Sequence, residues 1–94
     1  MLPKNINELK PKLALVKAKY QLKSMALFGS VLREDFREDS DIDILVDFQS
    51  DDFVLFLQLA DELEEMLNHK VDLVTSRSLK PRQLDYIQNQ LIYV

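Results

Sequence analysis

Leu27–Phe48, LFGSVLREDFREDSDIDILVDF, opens with the single glycine of this 94-residue chain and closes on a run whose two faces differ completely. Asp41, Asp43, Leu45 and Asp47 alternate with Ile42, Ile44, Val46 and Phe48, so a period of two sends the carboxylates to one face of a strand and the apolar side chains to the other. Two carboxylates that close on a rigid strand repel each other unless a cation lies between them, and hard divalent ions such as Mg2+ take oxygen ligands. Upstream, the strand-like run Ser24 to Phe28 stops at Gly29, a residue able to take a positive φ or to let a ligand reach the backbone. Ser30 then opens a short helix, where free N–H groups and a serine hydroxyl suit phosphate. The stretch reads as a nucleotide-and-metal site.

The same residues form a signature. Gly29-Ser30 after a strand, ten residues, then Asp-x-Asp inside SDIDILV with Ser40 before Asp41, and a later strand KVDLVT carrying Asp72, resemble the DNA polymerase β-like nucleotidyltransferases. The match is closest to the minimal nucleotidyltransferases, small proteins that act as antitoxins to HEPN-domain ribonucleases, and it runs from the helix before Ser24 through Thr75. The resemblance implies an α/β (α+β) polymerase β-like fold, a small mixed sheet of about three strands flanked by helices. It also implies that Asp41, Asp43 and Asp72 hold two Mg2+ ions, with Asp72 assisting deprotonation of the acceptor. ATP is the implied substrate, with Gly29 and Ser30 on its distal phosphates; Ser40 is taken as a further nucleotide contact, and from the charged loop Arg33 and Arg37 could reach the phosphates, an ordinary solvated loop being the other reading. The implied reaction moves AMP to a tyrosine of a cognate HEPN toxin and silences it. One position departs from the pattern: relatives commonly carry glycine after the arginine that matches Arg33, and this chain has Glu34.

Length and composition narrow the classes. Ninety-four residues suit one domain, 1–94, with a single core. The absence of cysteine excludes disulfides and thiolate metal sites, and no run has the length or apolarity of a signal peptide or membrane span, so a cytoplasmic protein is expected. A net charge of −4 argues against stable nucleic-acid binding, which needs a basic surface.

Ile6, Leu9, Leu13, Val16 and Tyr20 form a helical stripe, with Lys10, Lys12, Lys17 and Lys19 mostly off it as a solvated face. Pro11 interrupts the pattern, so the regular helix is expected near Lys10, with Ile6 to Leu9 as a separate turn. Arg33 to Ser40 is nearly all charge and reads as a mobile loop over the site. A helix over about Asp52 to Asn68 has acidic starters at Asp51 and Asp52 and a stripe at Phe56, Leu59, Ala60, Leu63, Met66 and Leu67. His69 follows as a loop residue before the strand Lys70 to Thr75. A last helix, Arg82 to Leu91, has Arg77, Lys80 and Arg82 near its start as a solvated basic cluster, and Leu91 to Val94 finishes extended.

The site orders the sheet. Gly29 ends one strand and Asp41 begins the next, so a nucleotide meeting both requires them antiparallel if adjacent. Bringing Asp72 level with Asp41 and Asp43 makes the third strand parallel to the second, across a βαβ connection. No residues are left over for a domain that grips an acceptor, so a protein acceptor from outside is expected, in a hetero-oligomer, with a homodimer as the other arrangement. Phe53 to Leu57, apolar on all sides, supplies a candidate partner surface. The competing class of function is a binding antitoxin that neutralises its toxin by covering it, with a weak or inactive nucleotide site.

Overall fold

In the computed structural model, which describes residues 6–32, 37 and 39–94, the alternation that begins at Asp41 becomes a central strand, β2 (Ile42–Asp47). On one side it pairs antiparallel with β1 (Ser24–Phe28), Ser24 opposite Asp47 and Phe28 opposite Asp43. On the other side it runs parallel to β3 (Val71–Thr75), with Asp43 opposite Asp72. Both orientations are those the site required. The sheet has four strands rather than about three: β4 (Ile92–Tyr93) pairs antiparallel with β1, giving the order β3-β2-β1-β4. Two residues are too few to show a period, so the tail reads from sequence only as extended. Its pairing is held by Val94 N–H donating to the Met25 carbonyl at 3.0 Å and by Lys17 Nζ donating to the Val94 carbonyl at 3.0 Å.

Two helices cover one face of the sheet. Helix α1 (Ile6–Lys19) contributes Leu9, Leu13 and Val16, and α2 (Phe53–Leu67) contributes Leu59, Leu63 and Leu67. These pack against Met25, Leu27, Ile42, Ile44 and Val46 in one apolar cluster, and Ile42, Ile44 and Val46 are residues that the period of two assigned to the apolar face of β2. The opposite face carries Asp41, Asp43, Asp47 and Asp72. Helix α1 runs unbroken through Pro11, contrary to the expected separate turn at Ile6 to Leu9. Proline removes the hydrogen bond to the Asn7 carbonyl, but Asn7 and Pro11 are both exposed, so water can take its place, while continuity keeps Leu9 buried in line with Leu13 and Val16.

Helix α2 begins where Asp52, in extended conformation, accepts from the N–H groups of Val54 and Leu55 at 3.0 and 3.2 Å. It ends at Asn68, whose left-handed φ of 48° stops the helix and turns the chain toward β3. A third helix, α3 (Pro81–Ile87), is shorter than the expected Arg82 to Leu91 because the chain tightens into a 3-10 turn at Gln88–Gln90. It starts with proline, and Gln83 Oε1 accepts from Lys80 N–H at 2.9 Å. Among the described residues no helix is long and apolar enough to cross a membrane.

Candidate active site

Gly29 closes β1 with φ of +76° and opens a 3-10 turn, Gly29–Leu32. Its position in the register brings it against Asp43, and any side chain there would put its Cβ 3.1 Å from Asp43 Cγ and closer still to Oδ2. Both requirements, left-handed backbone and close approach, select glycine. The following Ser30 is tied to β2 twice, since its backbone N–H donates to the Asp43 carboxylate and its hydroxyl donates to the Asp41 carbonyl at 3.3 Å. Gly29 and Ser30 thus sit beside Asp41 and Asp43, as expected.

Asp43 and Asp72 are direct partners across the parallel β2–β3 pair, on the face away from the helices. Asp43 is half-buried, Asp72 exposed. Burial pushes the Asp43 carboxyl up from its ordinary 3.8 to about 6, and the negative charges of Asp72 and Asp41 push in the same direction, against the Ser30 N–H that favours the carboxylate. The three aspartates therefore form one electrostatic site. Among the described residues they do not form a ready-made three-ligand cation cage. The sheet register aligns them, and the Asp43 and Asp72 side chains share a hydrogen bond that further favours the protonated form of Asp43, while Asp72 is otherwise exposed. As a donor set, oxygen-only and short of positive charge, they fit Mg2+.

The surroundings fix this end of the sheet. Ile42 N–H donates to the Lys70 carbonyl at 2.9 Å, and Val71 N–H donates to Glu64 Oε2 at 3.0 Å, so α2 reaches across to hold the start of β3. Ser40 closes a turn on Arg37: its Oγ accepts from Arg37 N–H at 3.4 Å and its N–H donates to the Arg37 carbonyl at 3.1 Å. The Ser40 hydroxyl is aimed at that turn rather than at the aspartates. Its carbonyl meets His69 Nε2. The sequence offered His69 only as a loop residue. It is one, but its ring also anchors the turn that leads into Asp41, a role that no local pattern signals. Arg33 and Glu34 lie outside the described residues, as does most of the expected loop from Arg33 to Ser40. Of the expected basic cluster near α3, Arg77 instead pairs with Asp51, while Lys80 and Arg82 stay exposed.

Comparison with known proteins agrees with this geometry. The sequence profile of the family described as "Polymerase beta, Nucleotidyltransferase" matches residues 11–94. A candidate protein adenylyltransferase of Methanocaldococcus jannaschii, MJ0128, is 43% identical over 97 residues, covering 97% of this chain and 99% of that protein. The solved structure of a candidate minimal nucleotidyltransferase superposes with a TM-score of 0.80 at 32% identity, over 94% of each chain. A structure of a tri-AMPylated Shewanella oneidensis HEPN toxin in complex with MNT antitoxin matches with a TM-score of 0.68 at 28% identity, over 89% of this chain and 66% of that one.

Proposed function

Because the chain belongs to the polymerase beta nucleotidyltransferase family, we propose that residues 1–94 act as one Mg2+-dependent domain that transfers AMP from ATP to a tyrosine hydroxyl of a cognate HEPN ribonuclease toxin and so neutralises it. The observation that carries this reading is the alignment of Asp41, Asp43 and Asp72 at the end of the sheet where Gly29 and Ser30 meet them. The match to a protein adenylyltransferase supports the reaction, and the match to an MNT antitoxin bound to an AMPylated HEPN toxin supports the partner and a hetero-oligomer. A cytoplasmic location, where ATP is at hand, is part of the same proposal.

In this reaction the tyrosine oxygen attacks the α-phosphorus, the bond to pyrophosphate breaks, and the hydroxyl proton leaves. Two Mg2+ ions held by Asp41, Asp43 and Asp72 would supply positive charge where the attacking and leaving oxygens become negative. Asp72, the most exposed of the three, is placed to receive the proton as the acceptor enters from solvent. Gly29 and Ser30 would hold the distal phosphates: the Ser30 N–H and hydroxyl, which bond the Asp43 carboxylate and the Asp41 carbonyl in this structure, would turn to phosphate as Asp43 turns to the metal ions. Arg33 and Ser40 are proposed to complete the nucleotide contacts, Ser40 by turning its hydroxyl away from the Arg37 turn.

Incubation with Mg2+, labelled ATP and the HEPN partner tests the proposal. Label should move to the partner, and Asp41→Asn or Asp43→Asn should abolish the transfer. The binding-antitoxin reading draws on the exposed Phe53, Val54 and Leu57. It predicts that the same variants still neutralise the toxin in cells, with no modified tyrosine by mass spectrometry.

A further inference from the structure

An open groove of about 510 Å3 lies at the far end of the sheet from the aspartates. Five residues of strand separate Asp43 from Phe48 in its wall, roughly 17 Å at strand rise. Its lining is apolar, with Phe48 after β2, Phe53 and Phe56 on the first turn of α2, and Leu73 from β3. The rings of Phe53 and Phe56 stack with centroids 6.2 Å apart, and Phe48 is tilted against Phe56 at 6.5 Å. Phe53 is nevertheless 70% exposed, and Val54 and Leu57 beside it are 62% and 48% exposed. Neither α1 nor the sheet covers them.

The rim decides what does. It carries Asp47, Asp51 and Asp52 against one cation, Arg77, and Arg77 is engaged by Asp51. Asp52 is committed to the α2 N-terminus, whereas Asp47 has no basic partner among the described residues. Such a rim repels phosphate, so the groove is not a second nucleotide site, and it repels anionic membrane surfaces for the same reason. A second copy of this chain could offer Leu15 on α1, 74% exposed between Lys12 and Lys19, but Lys19 is already bound to Glu62 at 2.8 Å. A head-to-tail contact of that kind would also generate a ring or a filament rather than a two-fold dimer.

We infer that this groove docks a protein segment that inserts an aliphatic or aromatic side chain between Phe53 and Leu73 and sets a neighbouring lysine or arginine against Asp47. This rests on the reading that the acceptor is a protein, and places its handle at the opposite end of the sheet from its modified residue. Burying an aromatic anchor beside a satisfied charge is how a small surface gains affinity.

The test uses two fluorescent amphipathic helical peptides of about four turns, one of leucine, alanine and lysine, the other with glutamate for every lysine. The lysine peptide should bind the intact protein saturably and shift the amide resonances around Phe53 and Asp47 while leaving those of Gly29 and Asp43 in place. The glutamate peptide should not bind. Phe53→Ser and Asp47→Lys should each weaken binding at least tenfold, and Asp43→Asn should bind as the wild type does. Equal binding of the two peptides, or unchanged affinity of the folded Phe53→Ser and Asp47→Lys variants, overturns the proposal. So does a homodimer in sedimentation that Phe53→Ser dissolves. AMP transfer does not enter this readout, so a failure of the enzymatic reading would leave the groove standing and be seen separately.

Discussion

Asp43→Asn should raise the stability of the protein in chelator, by an amount that depends on pH. In the folded protein the Asp43 carboxyl is pushed from 3.8 to about 6, so the native state holds the proton more tightly than the unfolded chain. Ionising it therefore costs stability: nothing below pH about 4, progressively more up to about 6, and the full amount above that. A gap of about two pH units at about 1.4 kcal/mol each gives an upper limit of about 3 kcal/mol. The carboxyl is only half-buried, and screening by solvent reduces this to roughly 1–2 kcal/mol. Asparagine has nearly the same shape, keeps an oxygen for the Ser30 N–H, and carries no charge to repel Asp41 and Asp72. At about 4–8 °C per kcal/mol for a domain of this size, the variant should melt roughly 5–10 °C above wild type at pH about 7.5. At pH about 4.5 most of the gain should vanish, because wild-type Asp43 is then largely protonated. Thermal melts of both proteins at the two pH values decide it. A variant that melts at or below wild type at the higher pH, or gains equally at both, would mean that Asp43 is not strained by its neighbours.

Saturating Mg2+ and ATP should reverse that order: at 100 times Kd the wild type gains about 2.7 kcal/mol by mass action, and Asp43→Asn should gain far less in the same thermal melts. Gly29→Ala should lose about 1–2 kcal/mol from its left-handed backbone and more from the contact with Asp43, and should lose AMP transfer. In an Asp43→Ala background the contact is gone, so the Gly29→Ala penalty measured by denaturant unfolding should shrink; additivity within about 0.5 kcal/mol would show that the two residues do not press on each other. Asp52→Ala removes the α2 cap, so it should cost about 1 kcal/mol in the same unfolding assay, while AMP transfer at saturating partner stays unchanged.

Most of the frame was legible because it depends on local periods. The alternation from Asp41 to Phe48 gave the inner and outer faces of β2, and the demand that Gly29, Asp41 and Asp72 share one end of the sheet gave the directions of β1 and β3. What sequence could not show depends on contacts between distant residues. His69 reaches Ser40 across 29 positions, and Arg77 reaches Asp51 across 26. Neither leaves a pattern, because one polar side chain meeting one backbone or carboxylate oxygen needs no neighbour of any particular type. Pro11 misled for a related reason. Its local cost is real, but the burial of Leu9 in line with Leu13 and Val16 outweighs one exposed backbone bond. The fourth strand depends on Met25 and Lys17, neither near it in the chain.

The strain at Asp43 also explains why that end of the sheet is held from so many directions. A carboxyl forced into partial burial beside two others would relax by fraying β2 from β3 or by peeling Gly29 away, unless other bonds over-determine the position. Ser30 restrains the glycine turn through the Asp43 carboxylate and the Asp41 carbonyl, Ile42 N–H is bonded to Lys70, Glu64 takes the Val71 N–H, and His69 holds Ser40. Apart from Asp43 and Asp41, which accept from Ser30, the groups in this set come from the α2 C-terminal region, the start of β3 and the residues around the start of β2. Asp72, the most exposed of the three, lies on the solvent side of its hydrogen bond with Asp43, which suits a group that must meet an incoming acceptor.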